Sequence, residues 1–297
     1  MPKIIIERGR TIEFQELPNY SIALDGYVQG PWIDNKNNRY SFDHHDLCIR
    51  HATRSSCEQV LDALLLGFDP QEFNIYINDI DGDTALTVWL LLNPTHIFEK
   101  RVRELVEVVG KADAYGPAYP TSNYELLTYF RKEAMKSEYE SKRNKLYQSA
   151  DLNKLLDDCL EGISALISQN TDFNSTEEES VKSYQITYKN DLFVMALSDD
   201  FIFDELYKNG FNRAVCYKYL ADGSIAYTIG KKSEFVSNFP IGPVSEEGTI
   251  LYTLNKLEPG WGGGSTIGGA PRYNNGSRSI LKPEQIIEII RNVLKSN

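Results

Sequence analysis

Over the first eighty positions the apolar residues come in short, β-prone runs, and most of those runs stop at an acid. Lys3 to Ile6, Tyr20 to Leu24, Arg39 to Phe42 and Asn74 to Ile77 read as strands. The last three lead into Asp25, Asp43 and Asp79-Ile80-Asp81 respectively. Between Thr53 and Leu66, Val60, Leu61, Leu64 and Leu65 recur at helical spacing, so Ser55 or Ser56 is expected to cap a helix that Gly67 ends. Thr84 to Leu92 is apolar nearly all round, as in a buried helix. His96 to Lys111 carries Val102, Leu105, Val106 and Val109 on one face and is expected to deliver Asp113 into a turn at 112–117. From about Tyr124 to Gln169 the chain is rich in Glu, Lys, Leu and Tyr, which predicts two or three helices with solvated charged faces.

A polar, acidic stretch at 170–182 has little to bury and reads as a linker between domains 1–169 and 183–297. Beyond it, Tyr184 to Tyr188 and Leu192 to Leu197 form one strand pair. Ala214 to Leu220 and Ile225 to Ile229, joined by a turn at Asp222-Gly223, form another. Asp204 to Asn209 is expected to be helical, and a last helix starts at Pro283, well placed in a first turn. The predicted fold class is α/β: a mostly parallel sheet flanked by helices, followed by a second, smaller α/β domain.

In an open parallel sheet the carboxyl ends of the strands face one crevice, where ligands bind. Asp25, Asp43 and Asp79/Asp81 are therefore expected to converge although they are far apart in sequence. The stretch Phe42-Asp43-His44-His45-Asp46 adds imidazoles to those carboxylates. That mixture suits a first-row divalent ion such as Mn²⁺ better than Ca²⁺; an acidic surface turn is the alternative. Asp79-Ile80-Asp81-Gly82-Asp83 is not an EF-hand loop, because Thr84 and Leu90 stand where glycine and a bidentate glutamate are required. Asp83, at a helix start, suits the helix dipole; Asp79 and Asp81 are the better ligand candidates.

Composition narrows the function. Four cysteines without CxxC spacing give no structural zinc site or disulfide framework. A net charge of −11 argues against a groove for long nucleic acid, whereas a small anion remains compatible if metal ions supply positive charge locally. No apolar run reaches the ~18 to 20 residues of a membrane span, and the N-terminus lacks a signal-peptide core, so a cytoplasmic protein with no membrane partner is expected. Ser-His-Asp, Walker and GxGxxG patterns are missing. Gly260 to Arg272 reads either as an anion-binding loop, with backbone N–H groups and a bidentate Arg272, or as a flexible surface loop. Arg54 is a candidate phosphate contact or a salt-bridge partner.

With these residues in hand, the chain resembles the DHH phosphoesterase superfamily, which includes exonucleases, manganese-dependent pyrophosphatases and small-oligonucleotide phosphodiesterases. Asp43-His44-His45 matches the signature triplet, Asp79-Ile80-Asp81-Gly82 the strand-terminal D-x-D motif, Asp25 the lone aspartate, and Asp113 the fourth motif. Gly262-Gly263-Gly264 resembles the glycine loop of the associated C-terminal domain, and the basic end Tyr227 to Ser233 precedes it as in the family. The D-x-D motif follows the triplet instead of preceding it, which implies a circularly permuted sheet; a rival matching makes Asp83-Thr84 the fourth motif. Ile75 and Ser265 stand where some members carry histidine.

The resemblance implies a phosphodiesterase using two Mn²⁺ or Mg²⁺ ions on short oligonucleotides or cyclic nucleotides. It assigns Asp25 as bridging ligand, His44, Asp81 and Asp113 to one ion, and Asp79 to the other. His45 would face the substrate phosphate and Asp43 would orient a histidine. Gly262, Gly263, Gly264, Ser265 and Arg272 would contact substrate as the domains close about 170–182. A pyrophosphatase, or a nucleotide sensor that lost an ion, are the other readings, and a homodimer is compatible with all three.

Overall fold

The computed structural model describes residues 2–120, 123–169 and 182–296. It is an α/β protein with two mixed sheets flanked by helices. The chain divides into two compact units, Met1–Glu177 and Glu178–Asn297. Of the expected linker at 170–182, all but Lys182 lies outside the described residues.

In the first unit β1 (Ile4–Ile6), β2 (Ser21–Leu24), β3 (Trp32–Asp34), β4 (Arg39–Phe42) and, after helix α1 (Ser56–Leu65), β5 (Asn74–Ile77) form one sheet. Its order is β1-β5-β2-β4-β3. The first four strands are parallel neighbours, and β3 pairs antiparallel to β4 as an edge. The sequence pattern does not predict β3, because only three residues take part. What makes the hairpin is its turn. Asp34 accepts from Lys36 N, Asn37 N and the Asn37 amide, then pairs with Arg39 at 2.7 Å.

Three strand ends therefore lie side by side, in the order β5, β2, β4. Ser21–Leu24 is buried throughout, as a central strand with covered faces requires. Helix α1 begins at Ser55 through a capping box with Glu58. Helix α2 (Gly82–Leu92) starts before the apolar run, because the Asp81 side chain accepts from Thr84 N at 2.9 Å and caps it. Helix α3 (Lys100–Tyr115) runs past Lys111, so Asp113 sits in its last turn and not in the expected loop. Helix α4 (Tyr124–Tyr129), a π-turn at Phe130–Ala134, α5 (Lys136–Arg143) and α6 (Leu152–Ser168) complete this unit.

The second unit contains β6 (Gln185–Lys189), β7 (Val194–Leu197), α7 (Phe203–Lys208), β8 (Arg213–Tyr219), β9 (Ile225–Lys231), α8 (Ile250–Leu257), β10 (Gly262–Gly263), β11 (Ile267–Gly269) and α9 (Pro283–Ser296). Its sheet runs β10-β11-β9-β8-β7-β6, with β7 and β8 its parallel pair. The glycine stretch is thus not a free loop but a tight hairpin. At Gly263 (φ +144°) a Cβ would stand 2.4 Å from Gly268 Cα, so only glycine lets the two backbones approach this closely.

Packing of α3 against α1 sets where Asp113 lies. A Cβ on Gly110 would fall 2.5 Å from Ser55 Oγ and 2.6 Å from Glu58 Cγ. Overpacking of this kind costs ~1–3 kcal/mol, against a helix-propensity gain of ~1 kcal/mol for Gly→Ala. Gly110→Ala is therefore expected to destabilise the protein, most visibly as a lower urea midpoint. An unchanged or higher midpoint would mean that α1 yields without cost.

Candidate metal centre

Asp25 follows β2 directly and takes up the left-handed conformation, φ +48°, which non-glycine residues seldom adopt. Its backbone N–H still donates to Phe42 O at the end of β4, so the parallel ladder carries one residue further and brings Asp25 beside the double histidine. The carboxylate accepts from Thr84 Oγ1 at 2.9 Å and from Ser56 Oγ at 3.3 Å. These hydroxyls come from the first turns of α2 and α1. The sequence names Ser56 only as a possible cap and Thr84 only beside Asp83, because single hydroxyls carry no signal of a long-range contact.

His44 is fully buried. Its Nε2 lies 2.9 Å from Asp113 Oδ2, 3.3 Å from Asp25 Oδ1 and 3.9 Å from Asp83 Oδ2. Despite these distances, neither ring nitrogen meets a well-directed hydrogen-bond partner among the described residues. A buried, undirected imidazole facing three carboxylates is what a cation ligand looks like when the ion is left out. One oxygen each from Asp25, Asp83 and Asp113 and one His44 nitrogen all lie within 4.8 Å of one another; Asp25, His44 and His45 form a second such group.

Asp83 is the member of the acidic turn that joins the His44 cluster, where the sequence pointed to Asp81. Asp81 is the helix cap and spends one oxygen on Thr84 N. Asp83, two residues on, is buried and accepts from Ser56 N at 2.8 Å and Cys57 N at 2.9 Å, the first N–H groups of α1. Asp79 is exposed, with its carboxylate held by the Tyr147 hydroxyl. Asp79 and Asp81 line, with Asp25, His45, Arg8 and Tyr147, a cleft of about 440 Å³. A second cleft of about 300 Å³ reaches Asp83 and Asp113 and is floored by Val109, Leu127, Phe130 and Met135.

The remaining expected residues divide. His45 is half-exposed on the first cleft, its Nε2 2.9 Å from Asp25. Asp43 does not orient an imidazole. It is buried and accepts from the backbone N–H of Gly30, His45 and Asp46, fixing the turn that presents both histidines. Arg54 takes the salt-bridge option, 3.1 Å from Asp62. In the second unit, Gly264 N is committed to Ile267 O within the Gly262–Gly263 hairpin and Ser265 Oγ donates to Glu234, so these groups are not an open N–H cradle. Arg272 lies near enough to Arg278 that its charge adds to burial in lowering the Arg278 pKa. Ile75 is buried inside the sheet and offers no ligand.

The electrostatics follow from crowding. Burial raises Asp83 to about 7 and Asp81 well above the usual carboxylate range, and the charges of Asp25 and Asp113 add to both shifts. Burial alone would lower His44, but Asp113 and Asp25 carry it up to about 10. Burial alone would raise Asp25, and the two imidazoles facing it outweigh that and lower it. His45 is raised, first by its hydrogen bond to Asp25. Without a cation, then, the cluster balances its charge by holding protons.

No family model matches the chain, and no curated protein matches it either.

A proton-holding cage predicts a pH-dependent response to metal. The raised groups contribute stability that is full below their unfolded values, ~4 for Asp and ~6.5 for His. That stability is lost as pH climbs through about 7 for Asp83 and about 10 for His44. A divalent ion takes the place of those protons. Mn²⁺ is therefore expected to raise Tm, and to raise it more at about pH 8 than at about pH 5.5. Differential scanning fluorimetry at both pH values decides; an equal increment, or none, speaks against the centre.

Proposed function

We propose that the chain is a divalent-metal-dependent phosphoesterase of the DHH type, hydrolysing phosphodiester bonds in short oligonucleotides or cyclic nucleotides in the cytoplasm. The observation that carries this reading is the convergence of ligand atoms of Asp25, His44, Asp83 and Asp113 within 4.8 Å of one another, from the ends of neighbouring parallel strands, the start of α2 and the last turn of α3. The donor set, three carboxylates and one imidazole, fits Mn²⁺ or Mg²⁺ better than zinc, which favours thiolate and several histidines. In the family's terms the D-x-D pair becomes Asp81-Gly82-Asp83, and the permuted order is no obstacle. The acid-bearing strands are spatial neighbours whichever comes first in sequence.

Asp25, His44, Asp83 and Asp113 would hold one ion; Asp25 and His45, with Asp81 on the same cleft, would hold or flank a second. Ions so placed supply water activation and charge neutralisation for in-line attack on phosphorus. The chain's own contribution is positioning. Asp43 fixes the histidine turn, Thr84 and Ser56 orient Asp25, and the same turn places His45 on the wall of the cleft where an anion would sit.

One observation keeps a second reading. The position four before Asp81 is Ile77, fully buried, so the second ion has fewer ligands than the first. That favours a nucleotide-binding sensor holding a single ion over a pyrophosphatase.

Turnover of a chromogenic phosphodiester, a dinucleotide and pyrophosphate with added Mn²⁺ separates these options. Loss of a partner that merely supports a metal ligand commonly costs ~10- to 100-fold in activity, so Asp83→Asn is expected to lower phosphodiester turnover by at least about 100-fold with the fold intact. Metal binding without turnover of any of the three would favour the sensor, and an Asp83→Asn protein as active as the parent would refute the ligand assignment.

A further inference from the structure

We propose that the cleft of about 440 Å³ beside the metal centre is the phosphoryl subsite, and that Arg8, just beyond β1, is its anion-binding residue. This rests on the phosphoesterase reading and goes beyond it by saying where the phosphate sits and what holds it. The cleft is acidic, with Asp25, Asp79 and Asp81 in its wall. An anion enters such a wall only if cations meet it; bound metal ions would supply some, and Arg8 in the same lining supplies another.

Arg8 is held in readiness by neutral groups. Its guanidinium lies over the Tyr147 ring, 5.3 Å from the centroid, and Nη2 donates to Ala150 O at 2.8 Å. Tyr147 is itself fixed, since its hydroxyl engages the Asp79 carboxylate and accepts from Ile80 N at 3.0 Å. Although Asp79 and Asp81 line the same cleft, no ion pair from Arg8 exists among the described residues. A guanidinium placed only to offset those acids would pair with one of them. Stacked on an aromatic ring and spending one donor on a carbonyl, Arg8 instead keeps N–H groups for a ligand, and its planar fork suits two phosphate oxygens at once. The cleft volume falls within the ~300–1,000 Å³ typical of small-ligand sites.

The test is isothermal titration calorimetry of the full chain, first with Mn²⁺ and then with inorganic phosphate on the Mn²⁺-loaded protein. Arg8→Ala is expected to weaken phosphate binding at least tenfold while Mn²⁺ affinity and Tm stay at the parent's values. Arg8→Lys is expected to restore part of the loss, since it returns the charge without the fork; a role in tethering the 147–150 segment would instead lower Tm. Phosphate binding unchanged in Arg8→Ala, or a parent protein that takes Mn²⁺ but no phosphate, overturns this assignment and leaves the metal centre standing. A parent protein that takes no Mn²⁺ overturns both.

Discussion

Asp25 and Asp83, buried, and the partly exposed Asp113, with Asp81 close by, are crowded together, and their mutual repulsion is the constraint to which the first unit is fitted. Like charges this close cannot all stay ionised without compensation. The protein supplies the N–H groups opening α1 for Asp83, the hydroxyls of Ser56 and Thr84 and the imidazole of His45 for Asp25, and the imidazole of His44 for all three. Helix N-termini favour negative charge, by ~0.3–1 kcal/mol where exposed and more where buried. No lysine or arginine pairs with these three acids among the described residues; Lys111, a neighbour in sequence of Asp113, pairs with Glu58 instead. A purely structural network would be expected to include such a fixed cation, because a buried acid without one is costly. Leaving that place to an exchangeable ion makes chemical sense of the arrangement.

The sheet explains how so few residues can do this. In a parallel ladder each strand contributes its carboxyl end to the same edge, and the following loop or helix start is free to carry a ligand. β5 supplies Asp81 and Asp83 through α2, β2 supplies Asp25, and β4 supplies His44 and His45. Because these strands are adjacent, their order in the chain has no bearing on the geometry. Asp113 arrives differently, from the far end of α3, and its position depends on the close approach of α3 to α1 that Gly110 allows.

Much of this was legible in the sequence. Strands ending at acids and the double histidine pointed to Asp25 and His44 meeting at one sheet edge, whereas Asp113 entered only through a helix end and the family resemblance. What was not legible has identifiable causes. Asp79-Ile80-Asp81-Gly82-Asp83 contains two overlapping D-x-D pairs, and which of them faces the site depends on where α2 begins. That is fixed by the Asp81 cap, a matter of one side chain's direction. Helix α3 was cut short because Ala112 to Tyr115 lacks the apolar repeat of the preceding turns, although nothing there breaks a helix. β10 and β11 read as a loop because glycine signals freedom locally, whereas here it permits two backbones to meet. Arg8 and Tyr147 lie far apart in sequence, and no periodicity announces a contact of that range.

Asp81 and Asp83 also bear on how many ions the site can serve. One caps α2 from outside the helix; the other sits in its first turn, and at ~100° per residue side chains two positions apart diverge instead of stacking. Asp83 accordingly turns to α1 and His44, while Asp81 lines the open cleft with Asp25, which touches both surroundings. Gly82 between them packs where a Cβ would stand 2.9 Å from the Phe130 ring, so a side chain there would crowd the turn. Asp25, shared between the two candidate groups, would suit two neighbouring cations on the proposed reading. On the proposed reading the open cleft, with its sparser ligands, would be the more weakly occupied side.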